Sequence, residues 1–352
     1  MKAGLLLLPH DAPGRLVQLA RLAEDAGYDH FWLADERFFR EVYASLTACA
    51  LATRRLLLGP CVTDPYSRHP ALTAMAIATL DDVSGGRAAL GLGAGISGFA
   101  ELGIARAHAA AAIGEAVTLV RRLLRKETVT QVGKVVSIHE GRLDFTPLRP
   151  DVSVYVASNG PLGQRTAGAV ADGAIMEGCG NLAEARAFAA AVADGARRVG
   201  RDADAIELVA RLNACIADDG HAARDVLRLR VARTLGAGRL RFATLEAQGL
   251  ALPAETKASV AGVPYAAGVE PYRPLLPLIT DRVVDALTLA GTVDEVVARV
   301  VDLARGGIGQ VMIHPFAPPG STADDTIRRF GLEVLPRARL ALETGGPLHA
   351  RR

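Results

Sequence analysis

No segment of this 352-residue chain comes near eighteen apolar residues without a charge, so a membrane span is not expected. The opening Met1-Lys2-Ala3-Gly4-Leu5-Leu6-Leu7-Leu8-Pro9 is too short for a secretory leader: six uncharged residues precede Pro9, and no small-residue cleavage site follows a longer apolar region. A first buried strand is the better reading. Neither sign of charge dominates. The 40 basic and 38 acidic residues are mixed along the chain, net +2, without the block or stripe that would suit nucleic acid or a polybasic membrane anchor. Cysteine is scarce: Cys49, Cys61, Cys179 and Cys215 stand singly, with no CxxC spacing. That argues against a disulfide framework or a zinc site and suits reduced thiols in a cytoplasmic protein. The histidines show no HExxH or other ligand spacing, so no metal is implied. Ser45, Ser67 and Ser84 lack a nucleophile-elbow context, which leaves covalent hydrolysis unsupported.

What is present is apolar material in a regular order. Half the residues are hydrophobic and 22% are charged, a globular composition with ample core. Short apolar runs alternate with helical stretches, and strands are expected at Ala3–Leu8, His30–Leu33, Leu56–Cys61, Arg87–Leu92, Ser153–Ala157, Gly173–Met176, Ile206–Ile216 and Gln310–His314. Continuous runs such as Leu56-Leu57-Leu58 suggest strands buried on both faces, as in a parallel sheet covered by helices. Leu16, Leu19, Ala20, Ala23 and Ala26 form a helical stripe closed by Gly27, and Val117, Val120, Leu123 and Leu124 repeat it. Thr292-Val293-Asp294-Glu295 reads as a capping box before the last strand. Eight such units fit a single (β/α)8 TIM barrel domain over 1–345; an open doubly wound sheet is the competing architecture. A β-hairpin insertion is expected near 128–147, around Gly133, and a long Gly- and Pro-rich insertion near 236–277.

Barrel active sites gather at the carboxyl ends of strands. The second expected strand ends in Asp35 and Glu36, which could donate a proton or simply pair with Arg37 or Arg40. The third runs into Gly59-Pro60-Cys61-Val62-Thr63-Asp64-Pro65-Tyr66-Ser67-Arg68-His69-Pro70, where two prolines and several turn formers interrupt a buried strand. Gly93-Ala94-Gly95-Ile96-Ser97-Gly98 is a literal GxGxxG. It follows the fourth strand rather than the first βα turn of a nucleotide unit, which weakens a Rossmann-type NAD(P) reading. Ser158-Asn159-Gly160-Pro161 follows the fifth strand and opens a helix, whose exposed amides would attract a phosphate. His69 and His314, each near a proline at a strand end, could line the mouth or be held by hydrogen bonds.

These segments, with Trp32-Leu33-Ala34-Asp35, Asp81-Asp82-Val83-Ser84-Gly85-Gly86-Arg87 and Ala157–Gly173, resemble the luciferase-like monooxygenase superfamily over roughly residues 1–340. The likeness is to its branch of coenzyme F420-dependent oxidoreductases typified by methylenetetrahydromethanopterin reductase. The resemblance implies a (β/α)8 barrel and hydride transfer between F420, or FMN, and a small organic substrate. It implies a non-prolyl cis peptide at Cys61–Val62 against the middle ring of the cofactor, with Thr63 and Asp64 following and Gly93 and Gly95 beside it. It places the cofactor phosphate on Ser158, Asn159, Gly160 and Pro161, with Gly178 nearby. A homo-oligomer is expected. A flavin-free NAD(P)H reductase on the same barrel and a cofactor carrier without turnover are the alternatives. The methylene-tetrahydropterin reductases carry a carboxylate partway along the first strand, where this chain has Leu5-Leu6-Leu7-Leu8. Other deazaflavin enzymes place a glutamate after the fourth-strand glycines, where this chain has Ile96. With both donors missing, Asp35 or Glu36 is the expected general acid.

Overall fold

The computed structural model describes residues 1–36, 38–95 and 97–344, so Arg37 and Ile96 lie outside the described residues. The strands are β1 (Lys2–Leu7), β2 (His30–Leu33), β3 (Leu57–Pro60), β4 (Ala89–Gly93), β5 (Val129–Val132), β6 (Ser137–Gly141), β7 (Ser153–Ala157), β8 (Gly173–Glu177), β9 (Glu207–Ile216), β10 (Thr288–Gly291) and β11 (Gln310–Pro315). Every strand expected from the sequence is present, within two residues of its expected ends.

The fold is a (β/α)8 barrel with insertions. Its contacts divide the chain into two compact units, one of Leu6–Ile175 with Ala191–Glu207, the other of Met1–Leu5 with Met176–Ala190 and Leu208–Arg352. In the first unit β2 pairs parallel with β3, β3 bridges to β4, and β4 pairs parallel with β7, which in turn pairs with β8. Strands therefore follow one another in sequence order, without the reversal that defines a doubly wound sheet. In the second unit β1, the first strand, pairs parallel with β11, the last. That pairing is the mark of a closed barrel, and it removes the dinucleotide-fold reading of Gly93–Gly98.

The helices follow their apolar stripes. The helix Pro13–Asp25 buries Leu16, Leu19, Ala20 and Ala23, and Gly27 beyond it takes a φ of +83°. The helix Val293–Arg305 opens on the expected box: the Glu295 amide donates to Thr292 Oγ1 at 3.3 Å, and the Thr292 amide to Glu295 Oε2 at 2.7 Å. Asp81 and Arg87 hold the scaffold together. Buried Asp81 accepts from Arg149 Nε at 2.9 Å and from the Ala88 amide at 3.1 Å. Arg87 donates to the carbonyls of Ala50, Leu56 and Ser84 at 2.8–2.9 Å, closing off chain ends around the start of β4.

The hairpin β5–β6 is antiparallel, as expected. Its turn is tied to the helix Ala109–Leu124, where the Glu115 carboxylate accepts from the amides of Lys134, Val135 and Val136 at 2.8–3.0 Å. The long insertion in the second unit is packed. Leu245, Leu250, Leu252, Tyr272 and Leu275 form one core with Leu227, Val231 and Leu235 of the helix Gly220–Gly236. Beyond it and the helix Asp281–Leu287 comes β10, which lies parallel to β9 at Asn213–Ile216 and was not expected.

Burial alone would raise the Glu115 carboxyl, but the three amides and Lys134 outweigh it and hold it below the usual carboxylate range. Its contribution is therefore present above the ordinary glutamate pKa, about 4.3, and is lost as pH falls through the depressed folded value. Glu115→Gln should weaken the hairpin by about 1–2 kcal/mol, five- to thirtyfold in local opening. Amide hydrogen exchange at residues 134–136 should quicken accordingly at neutral pH, and the difference from wild type should shrink on acidification.

Candidate active site

Three glycines decide how β3 ends. A Cβ on Gly59 would lie 1.7 Å from the Ala89 carbonyl oxygen, and one on Gly91 would lie 2.5 Å from the Pro60 carbonyl oxygen. One on Gly93 would meet Val62 Cγ2 at 2.6 Å. No real side chain tolerates such contacts, so the backbones of β3 and β4 approach where Cβ atoms are absent. The space over Gly93 goes to Val62. The chain then passes through a cis Cys61–Val62 peptide, as the resemblance implied. Pairing resumes beyond it: the Thr63 amide donates to the Gly91 carbonyl at 3.0 Å, and the Gly93 amide to the Thr63 carbonyl at 2.9 Å. Cys61 is buried, Val62 is half-buried, and buried Thr63 Oγ1 has no hydrogen-bond partner among the described residues.

Asp64 is occupied with its own loop. One carboxylate oxygen accepts from the amides of Tyr66 and Ser67 at 2.8 and 2.9 Å, the other from the Ser67 hydroxyl at 2.7 Å. His69 caps the helix Pro70–Ser84 through Nδ1, and its Nε2 contacts the Ser137 carbonyl at 3.0 Å. His314 packs edge-on against Phe316. Asp35 and Glu36 are both half-buried beyond β2. Asp35 pairs with Arg68 at 3.4 Å, and Arg68 also reaches Glu41 at 2.9 Å and lies over the Tyr43 ring at 5.0 Å; the expected partner Arg37 lies outside the described residues. Nothing in the local sequence marks Arg68 as the partner, since it lies 33 residues from Asp35.

At the end of β7 the helix Pro161–Val170 begins with Gly160 as its N-cap and proline in its first turn, as expected. No side chain caps it, which leaves first-turn amides without an intrahelical acceptor. Ser158 Oγ accepts from the Gly160 amide at 3.2 Å and packs where a Cβ on Gly163 would lie 2.1 Å away. Gly163, which the sequence motif did not include, thus makes room for Ser158 at this turn. A Cβ on Gly160 would meet nothing within 4 Å. Asn159 and Pro161 flank it on the same turn, half-buried and exposed respectively. Gly95 lies beyond β4 with a φ of +62°. Gly178, in the other unit, follows β8 with a φ of +72°, donates to the Arg211 carbonyl at 2.9 Å and lies under the Phe242 ring.

Residues 1–310 match the luciferase-like monooxygenase family. The chain belongs to that family. This luciferase-like protein is 31% identical over 343 residues to the 5,10-methylenetetrahydromethanopterin reductase of Archaeoglobus fulgidus, covering 96% of this chain and 100% of the relative. It is also 31% identical to the F420-dependent glucose-6-phosphate dehydrogenase of Beutenbergia cavernae, over 93% of this chain and 94% of that one. Among solved structures it is similar to the coenzyme F420-dependent tetrahydromethanopterin reductase of Methanopyrus kandleri, with 28% identity, a TM-score of 0.83 and coverage of 95% and 98% of the two chains. The chain is an oxidoreductase of the F420- or flavin-dependent type. No helix among the described residues is long and apolar enough to cross a membrane, and no group of metal-ligating side chains is present among them.

The two kinds of glycine predict opposite behaviour. Gly91→Ala should destabilise the luciferase-like fold by about 1–3 kcal/mol, because a backbone oxygen must move to admit the methyl group. Gly160→Ala should leave the denaturation midpoint within the range of a neutral surface change, about 0.5 kcal/mol. Urea titrations of the two variants beside wild type give the comparison directly.

Proposed function

We propose that the protein transfers a hydride between coenzyme F420 and a small organic substrate, with Glu36 as the proton donor or acceptor. The observation that carries the F420 assignment is the pairing of two features on adjacent strands of one unit. Thr63 lies opposite Leu92 on β4, and the next β4 residue, Gly93, lies opposite Ala157 on β7. The Cys61–Thr63 bulge and the Ser158–Gly160 helix start are therefore about two strand spacings apart, roughly 10 Å. A ring resting on the bulge and a phosphate at the helix start suit a flavin-like molecule better than a dinucleotide reading of the β4 glycines. The residues fit such a group. Thr63 Oγ1 is a buried hydroxyl that lacks a partner among the described residues and would gain one. The open space at Gly160 and the uncapped turn would admit a phosphate to backbone amides.

F420, when bound, supplies a deazaflavin ring that donates or accepts a hydride. The protein's own work is to hold, orient and move the accompanying proton. Cys61 and Val62 would back the ring, and Gly93 and Gly95 would leave room beside it. The amides after Gly160, with Ser158 and Asn159, would hold the phosphate. Asp35 is already engaged by Arg68, which suits it to fixing the loop after β2, so Glu36 beside it is the acid carried forward. The relatives' reductase and sugar-phosphate activities are consistent with one barrel serving several substrates. The Leu5–Leu8 stretch, along and just beyond β1, offers no carboxylate to a pterin.

Gly160→Val should weaken F420 binding about 10- to 150-fold, the effect of losing one charge-assisted hydrogen bond, and leave the fold intact. Fluorescence titration with F420, FMN and NADPH measures this and identifies the cofactor. Unchanged affinity for whichever one binds would put the phosphate elsewhere. Glu36→Gln should lower kcat about 10²- to 10⁴-fold at unchanged cofactor affinity, and Asp35→Asn less. Full turnover by both variants would leave water or the substrate as the proton source. Methylene-tetrahydromethanopterin should be a poor substrate, and efficient reduction of it by wild type would remove the argument from β1.

A further inference from the structure

In the unit Met1–Leu5, Met176–Ala190 and Leu208–Arg352, arginines gather near the carboxyl ends of β8 and β11, where Arg211 reaches Glu177 and Arg230 lies on Phe316. Arg211 and Asn213 alternate on β9, opposite Met312 and His314 of β11, so the four share one face. The helix Gly220–Gly236 adds Arg230, Arg233 and Thr234, spaced to lie on a single helical face. A crevice of about 10 Å³, room for one water, is lined by Arg211, Asn213, Thr234 and Thr288 among others.

The three arginines are not equivalent. Arg211 donates to Glu177 Oε1 at 2.6 Å. Arg233 donates to the Tyr265 carbonyl at 3.0 Å and lies over that ring at 4.5 Å. Arg230 stacks on Phe316 at 4.1 Å, and among the described residues no hydrogen bond or ion pair engages its guanidinium. Desolvation by surrounding protein, with Arg233 and Arg211 as like charges nearby, pushes it below the ordinary arginine range. Stacking fixes the plane of a guanidinium and leaves its in-plane donors outward, the geometry that grips a carboxylate or phosphate with two bonds. Arg230 is exposed, so those donors are open to a ligand from solvent.

We infer that Arg230, supported by Arg211 and Arg233, binds an anionic group of the substrate, a phosphate or a carboxylate. This rests on the reading of the protein as an F420-dependent oxidoreductase with its substrate at the strand ends. Relief of mutual repulsion among the arginines adds to the attraction, so the site selects charge before shape. The same chemistry could serve an acidic group on the cofactor, and the test separates the two sources.

Inorganic phosphate is titrated calorimetrically into F420-saturated wild type, Arg230→Ala and Arg230→Lys, and F420 affinity is measured in all three by fluorescence. Phosphate should bind wild type and bind Arg230→Ala about 10- to 150-fold more weakly. Arg230→Lys should fall between, because lysine keeps the charge and loses the fork. F420 affinity should stay constant. Equal phosphate affinity in wild type and Arg230→Ala, or no phosphate binding by wild type, overturns the inference. A parallel loss of F420 affinity in Arg230→Ala gives the site to the cofactor and overturns the substrate assignment. If wild type fails to bind F420, the cofactor reading fails, and the same phosphate titration without F420 still decides the role of Arg230.

Discussion

Close approach of two backbones is the constraint on which the candidate site depends. β3 and β4 meet where Gly59, Gly91 and Gly93 present no Cβ, and carbonyl oxygens or the Val62 side chain take the space instead. With side chains there, β3 could not bend at Cys61 and still resume pairing with β4 through Thr63. The loop that follows inherits its direction from this crossing. Asp64 folds it onto Tyr66 and Ser67, Arg68 reaches back to Asp35, and His69 starts the next helix while touching the hairpin strand β6. One packing condition thus sets the positions of the bulge, an ion pair and a helix start.

The charged residues divide by what they touch. Asp81, Arg87 and Glu115 spend their hydrogen bonds on backbone groups, on Arg149 and on the Thr53 hydroxyl, and each closes a joint between elements. Asp81 and Arg87 belong to one of the segments that carry the family resemblance, yet their contacts are with the chain itself, because a buried carbonyl or amide must be paired somewhere. Arg230 differs. It is held by an aromatic face and faced by other cations, which leaves its donors for something outside the chain.

The order of strands and helices was legible because apolar periodicity is a local property, and each barrel strand carries an uninterrupted run. β10 was missed for a related reason: Thr288-Leu289-Ala290-Gly291 is too short to show alternation, and it becomes a strand by lying beside Asn213–Ile216. The insertion over 236–277 was legible only as a Gly- and Pro-rich stretch because its apolar residues have no period. Their order comes from the stripe of the helix Gly220–Gly236, against which they pack.

By itself the sequence determined the barrel repeat, the helix starts at Pro161 and Thr292, and the segments that carry family character, since all of these are written within a few consecutive residues. Tertiary structure alone decided the partners. That Asp35 meets Arg68, that Asp64 serves its own loop, that Gly93 makes room for Val62 and that Arg230 is left with an aromatic ring all depend on which residues meet across strands and loops. A side chain's chemistry is fixed by its type, but its availability is fixed by what lies within hydrogen-bond reach, and that distance exists only once the chain has folded.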